Sequence, residues 1–191
     1  MTPEPFAVDA KKYNAELVEG KTVRLEFDIE KEDQYKRWLA YVYVDDIMVN
    51  RELLKKGYAY VYTFPPNIRY LASFVKAQEK ALSEKAGIWA GIKEISSKDM
   101  AGYVGKYVIA RGKVSETYFS DNKVVLVLSG SNDVSIPLII FKKNCQLFVD
   151  KGFEPLTFYK NKKIEIFGKV EERDGIRILI DNPGQVNVLK R

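Results

Sequence analysis

Histidine is missing from all 191 residues, and cysteine occurs once, at Cys145. Without imidazole the chain lacks the most frequent general base near neutrality and the most frequent zinc ligand. A lone cysteine excludes an intrachain disulfide and makes no zinc site by itself. No apolar run approaches the roughly 20 residues a helix needs to cross a bilayer, so no membrane partner is expected. Any catalysis must rest on carboxylates, Arg, Lys, Tyr or a hard metal ion.

What is present is ordinary for a globular chain. The residues are 46% hydrophobic and 30% charged, fractions that argue against disorder. This length builds one large or two small domains. Charge divides it. Residues 1–97 hold 15 Lys+Arg against 15 Asp+Glu, whereas residues 98–191 hold 16 against 11, so the whole formal charge of +5 lies in the second half. A basic half beside a neutral one points to a polyanion partner, although lysine-rich surfaces also serve solubility alone.

In the first half, Phe6, Ala10, Tyr13 and Leu17 form one apolar helical stripe that Gly20 ends. Val23, Leu25 and Phe27 alternate with polar residues, which predicts a half-buried strand, and Glu30 to Tyr35 reads as an exposed loop. Leu39 to Val44 is a second strand with Asp45-Asp46 as its turn. Asn50 is placed to cap a short helix, with Gly57 just past its end. Tyr58 to Phe64 reads as an extended aromatic run. Leu71, Phe74, Val75, Gln78 and Leu82 mark a long helix ending near Gly87.

The run Asp33-Gln34-Tyr35-Lys36-Arg37-Trp38-Leu39-Ala40-Tyr41-Val42-Tyr43-Val44 is the most specific feature. With Met48-Val49-Asn50, Leu53-Leu54-Lys55-Lys56-Gly57-Tyr58-Ala59 and Gly87-Ile88-Trp89, it resembles the core of the staphylococcal nuclease (thermonuclease) family. Pro5-Phe6 and Leu17 to Val23 match that family's first helix and the strand after it. The resemblance implies a five-stranded barrel cutting DNA or RNA by calcium-assisted attack of water. It also implies three earlier strands, carrying metal-binding aspartates and a second arginine, with no counterpart in these residues. We therefore expect a chain truncated at its N-terminus, the alternatives being an isolated fragment or strands supplied by another chain.

The second half has a different rhythm. Tyr107 to Val114, Val124 to Leu128 and Val134 to Ile140 read as strands, followed by a helical stretch around Asn144–Lys151. Ile164 to Val170, Ile176 to Ile180 and Val186 to Leu189 complete the set. Three strands, a helix and two or three strands suit a small Greek-key barrel of the OB type. Gly105-Lys106-Tyr107-Val108, Arg111-Gly112-Lys113-Val114 and Ile166-Phe167-Gly168-Lys169-Val170 resemble strands of nucleic-acid-binding OB-folds. The expected fold class is α+β, mainly β: a partial OB-type nuclease barrel with helices over residues 1–94, and a second five-stranded OB-type barrel over residues 95–191.

Candidate site residues follow. Arg37 matches the family's arginine, and a guanidinium suits the charge that builds on phosphoryl oxygens during hydrolysis. Lys36 replaces the family's glycine. Glu4, after Thr2-Pro3, matches the glutamate that activates water, with a solvated terminal carboxylate as the plain alternative. Thr2 is the one remaining candidate calcium ligand, through its carbonyl. Tyr35, Tyr62 and Phe64 match nucleotide-flanking rings, with core packing as the plain alternative. In the second half, Arg111, Lys113, Tyr118, Phe119 and Lys123 offer stacking rings and phosphate contacts for single-stranded DNA or RNA. The expected function is a phosphodiester hydrolase whose appended OB domain holds its substrate. An inactive nucleic-acid-binding module and an interaction scaffold stay open as alternatives.

Overall fold

A computed structural model describes residues 6–129 and 135–189. Among these residues, no helix is long and apolar enough to cross a membrane. The chain divides between Gly91 and Ile92 into two compact units.

The first unit begins with α1 (Ala7–Val18), whose Ala10, Tyr13 and Leu17 are half-buried as the stripe requires. Tyr13 packs edge-on against Tyr58 at 5.6 Å, and the Lys21 ammonium donates to the Glu16 and Leu17 carbonyls left open at the helix end. β1 (Arg24–Glu32) and β2 (Trp38–Val44) pair antiparallel, Phe27 opposite Ala40, with an irregularity between Phe27 and Glu32. The strand thus reaches Glu32, beyond the loop expected from Glu30. β3 (Ile47–Met48) returns after a tight turn in which Asp45 takes a φ of 50°.

In α2 (Val49–Lys55), Met48 holds the cap position and Asn50 lies within the first turn. Asn50 instead reaches sideways: its Oδ1 accepts from the Val42 amide at 2.8 Å and fixes the helix to β2. Tyr58 to Phe64 forms no strand. The Val61 amide donates to the Gln78 side chain at 2.7 Å, a tertiary partner in place of a ladder. α3 (Leu71–Ser83) buries Ala77, Gln78 and Ala81, and Trp89 (1% exposed) anchors the single turn that closes the unit. Gly57, with φ +67°, lets the chain pass against that turn. A Cβ there would sit 2.1 Å from the Ala86 carbonyl oxygen, and the Ile88 amide donates to the Gly57 carbonyl at 2.9 Å.

The second unit opens with β4 (Lys93–Glu94), parallel to the start of β5 (Tyr107–Ser120). β5 is long enough to serve two neighbours. Its residues 107–113 pair with β8 (Lys163–Glu172), and from Lys113 onward it pairs with β6 (Lys123–Ser129), with an irregularity between Val114 and Glu116. β6 pairs with β7 (Ile136–Phe141), β7 runs parallel to β9 (Ile176–Leu179), and β9 returns antiparallel to β8. The ring β5-β6-β7-β9-β8 therefore closes on itself. The helices α4 (Lys142–Val149) and α5 (Pro155–Phe158) lie between its third and fourth strands in sequence, and β10 (Val186–Val188) extends β8. Val108, Ala110, Leu126, Leu138, Ile164, Ile166 and Ile178 are all fully buried, the alternation of each strand pointing inward. Closure brings β8 so near β9 that a Cβ on Gly168 would meet Ile178 Cγ2 at 2.3 Å.

Candidate active site and nucleic-acid interface

The loop from Asp33 to Arg37 is organised by one carboxylate. Asp33 Oδ1 accepts from the Tyr35 amide (2.8 Å) and the Arg37 amide (3.0 Å), while Oδ2 accepts from Arg37 Nε and Nη2, both at 2.6 Å. The Asp33 side chain is 9% exposed and that of Arg37 is 74% exposed. The Arg37 amide bond, ahead of the guanidinium and the Tyr35 amide, holds the Asp33 carboxyl below the usual range against the opposing pull of burial. Lys36 adopts a φ of 64°, the left-handed conformation that the family's glycine takes freely, and pairs with Glu32 at 3.5 Å.

This arrangement leaves part of the guanidinium unused by Asp33. Nε and one Nη2 hydrogen face the carboxylate; Nη1 and the other Nη2 hydrogen form the outward fork, whose geometry suits two phosphoryl oxygens. The Tyr35 ring lies 5.3 Å from the guanidinium carbon and is 70% exposed. Tyr62 is 65% exposed and Phe64 is half-buried. Thr2 and Glu4 lie outside the described residues.

A second network in this unit was not foreseen. Glu26 Oε1 accepts from Arg69 Nη1 and the Tyr70 hydroxyl, each at 2.8 Å, and Asp28 Oδ2 accepts from the Tyr41 hydroxyl (2.8 Å) and the Arg69 amide (3.0 Å). Tyr70 first and Arg69 second hold the Glu26 carboxyl low. Burial works against ionised Asp28, but the Arg69 amide and Tyr41 hydroxyl outweigh it and its pKa is lowered too. These carboxylates bind β1 to the approach to α3. No signal in the local sequence pairs residues 43 and 44 positions apart.

A calcium ion takes six to eight oxygens. Among the described residues no three His, Cys, Asp or Glu side chains gather to hold a metal ion, and Glu26, Asp28 and Asp33 are all engaged by protein donors. The described residues therefore do not fit the calcium site that the resemblance implies.

In the second unit, Arg111 is held on both sides. Its Nε lies 2.6 Å and its Nη2 2.5 Å from Glu165 Oε2, and its Nη1 lies 2.7 Å from Glu94 Oε2. Lys113 is exposed one rung further along β5. Tyr118 (45% exposed), Phe119 (50% exposed) and half-buried Lys123 gather at the β5–β6 hairpin. Five residues of extended chain, about 16 Å, separate Lys113 from Tyr118, so the candidates form two groups.

A helix, a strand pair bearing an arginine loop and two further helices make the first unit α+β. Residues 1–91 match the family described as staphylococcal nuclease homologue, and they are a domain of that family. The chain is 40% identical over 114 residues to the SPbeta prophage-derived endonuclease YokF of Bacillus subtilis (strain 168), covering 59% of this chain and 38% of that protein. It is 40% identical over 103 residues to endonuclease YncB of the same organism (53% and 49%), and 36% identical over 86 residues to the thermonuclease of Staphylococcus intermedius (45% and 51%). The chain thus spans about half or less of the length of these relatives.

Proposed function

We propose that this chain acts as part of a nucleic-acid phosphodiester hydrolase, with Arg37 stabilising the transition state and the second unit holding a single strand of DNA or RNA. The observation that carries the reading is the Arg37 guanidinium, fixed by Asp33 on one edge and exposed on the other. Attack of water on phosphorus places extra negative charge on the non-bridging oxygens as the P–O ester bond breaks. A fork already aimed at those oxygens binds them more strongly as that charge grows, and this difference lowers the barrier. Glu4 is the candidate to take the proton from the attacking water. The names of the relatives, an endonuclease in two cases, support hydrolysis within a strand.

For the second unit, the ring order with helices between its third and fourth strands supports reading it as an OB-type barrel, a fold that commonly grips single strands. The exposed Tyr118 and Phe119 at a hairpin, together with the basic charge of this half, favour that role.

The test is cleavage of single-stranded DNA and RNA, with calcium and with chelator, by the wild type and by Arg37→Ala. Loss of one oxyanion donor is expected to cost about 10²- to 10³-fold in turnover with little change in strand affinity. Equal losses in binding and turnover would make Arg37 a docking residue and sink the catalytic assignment.

A further inference from the structure

Two facing lysines in the second unit mark a cation site other than Arg111. Along the outer face of the β5–β8 pair, Arg111 stands opposite Glu165, and the next rung on that face sets Lys113 opposite Lys163. Both lysines are exposed, and neither has a carboxylate partner among the described residues. Like charges directly opposed across an antiparallel pair repel, so this rung weakens the barrel it belongs to.

The chain leading into β8 adds exposed Lys160 and half-buried Lys162. Their backbone is clamped to β5: the Asn161 amide donates to the Val114 carbonyl at 2.8 Å, and the Val114 amide donates to the Lys162 carbonyl at 2.9 Å. The Lys162 ammonium lies 3.2 Å from the centroid of the Phe158 ring. Lys113 and Lys163 thus carry two ammonium groups on one rung, with exposed Lys160 just ahead of it in the chain, while the adjacent carboxylates Glu165 and Glu94 are spent on Arg111.

We infer that Lys113 and Lys163, with Lys160 beside them, form a phosphate-binding patch that takes the backbone of a nucleic-acid strand. This rests on the reading above that the chain handles nucleic acid. Phosphates neutralise the repulsion of the facing lysines, so the ligand supplies the countercharge that the fold omits. Arg111, already neutralised, adds little to it. Glu165 and Glu94 border the patch and repel phosphate, which turns the strand away from that side.

The experiment titrates the full chain with a labelled oligothymidylate across a salt series, its integrity checked on gels. Lys113→Gln/Lys163→Gln is compared with wild type and with Lys11→Gln/Lys12→Gln on α1. Each single-strand phosphate contact contributes about 0.7 to the slope of log affinity against log salt. The β5–β8 double variant should therefore flatten that slope by about 1.4 and weaken binding roughly 10- to 30-fold near 0.1 M salt. The α1 variant should match wild type. Lys163→Glu, which makes an opposite pair with Lys113, should bind more weakly still while melting no lower than wild type, separating lost charge from lost fold. A wild-type slope in the β5–β8 variant overturns the inference, as does a wild-type chain that fails to bind at low salt. Polyglutamate competing as well per charge as oligonucleotide also overturns it, in favour of an acidic protein. Binding with the expected slopes but no cleavage would defeat the hydrolase reading and leave the patch standing.

Discussion

Asp33 is the residue on which the aim of Arg37 depends. It takes two backbone amides and one edge of the guanidinium at once, so its loss frees both the loop and the side chain. If Arg37 stabilises the transition state as proposed, Asp33→Ala is expected to lower turnover about tenfold or more, through misalignment of that donor, with a much smaller effect on strand affinity. Arg37→Ala placed on top of it should then cost less than Arg37→Ala alone, and full additivity of the two losses would show that Asp33 does not act through Arg37. The same carboxylate has a pH signature. Asp33, Glu26 and Asp28 all have folded pKa values below their ordinary ones. Groups shifted that way lend stability above their unfolded values, about 4, and the contribution disappears as pH falls through the lower folded values. Urea midpoints should hold steady from pH 8 to about 5 and drop below 4, and Glu26→Gln should make the drop shallower; an unchanged acid limb would remove Glu26 from the account. The run from Asp33 to Arg37 was legible as a motif, although its hydrogen bonds, to partners two and four residues away, were not. The Glu26–Arg69 pair was not, because folding alone brings those residues together.

At the scale of elements, alternation and helical stripes predicted most strands and helices, since each has one face turned to a core. They failed where a backbone group found a side-chain partner instead of a ladder. Tyr58 to Phe64 has strand composition, yet Val61 bonds Gln78; Asn50 has capping chemistry, yet it serves β2 from inside α2. Arg111 lay on the expected face of β5, but the carboxylates that occupy it come from β4 and β8, 17 and 54 residues distant. Glycine spacing said more than propensity. Gly57 ends α2 in the left-handed region and leaves no room for a Cβ beside Ala86. Gly57→Ala is expected to destabilise the first unit by about 2–4 kcal/mol, combining the left-handed penalty with displacement of the 86–89 turn. Denaturant unfolding followed by the buried Trp89 checks this, and a change under about 0.5 kcal/mol would mean that the contact relaxes freely. At the β5–β6 hairpin, Tyr118→Ala/Phe119→Ala should weaken oligonucleotide binding by about 1–3 kcal/mol per stacked base and leave the salt slope intact. A flattened slope would point to lost structure around Lys123 rather than lost stacking.

Across the whole molecule, the missing histidine and the uneven charge act together. The first half is neutral and the second carries the net +5, so the long-range attraction for a polyanion originates there. That field is also fixed with respect to pH. No imidazole titrates near neutrality, burial pushes the Cys145 thiol and the Tyr41 and Tyr159 hydroxyls up, and hydrogen bonding with Tyr43 and then Glu26 raises Tyr70, all away from the neutral range. Asp181, raised by burial, is the described carboxyl moved toward that range from below. Between pH 6.5 and 8.5 the side-chain charge therefore stays nearly constant, and oligonucleotide affinity at fixed ionic strength should change by less than about twofold. Fluorescence titrations at several pH values check this, and a tenfold fall would require a titrating group that binds the strand. The consequence reaches the chemistry. If affinity is flat while cleavage varies with pH, the variation belongs to the attacking water and the group that takes its proton, since the binding field does not change. A cleavage profile that Arg37→Ala lowers uniformly, without shifting its inflection, would assign the arginine to charge stabilisation and the proton to another group; a shifted inflection would mean that Arg37 governs the ionisation itself.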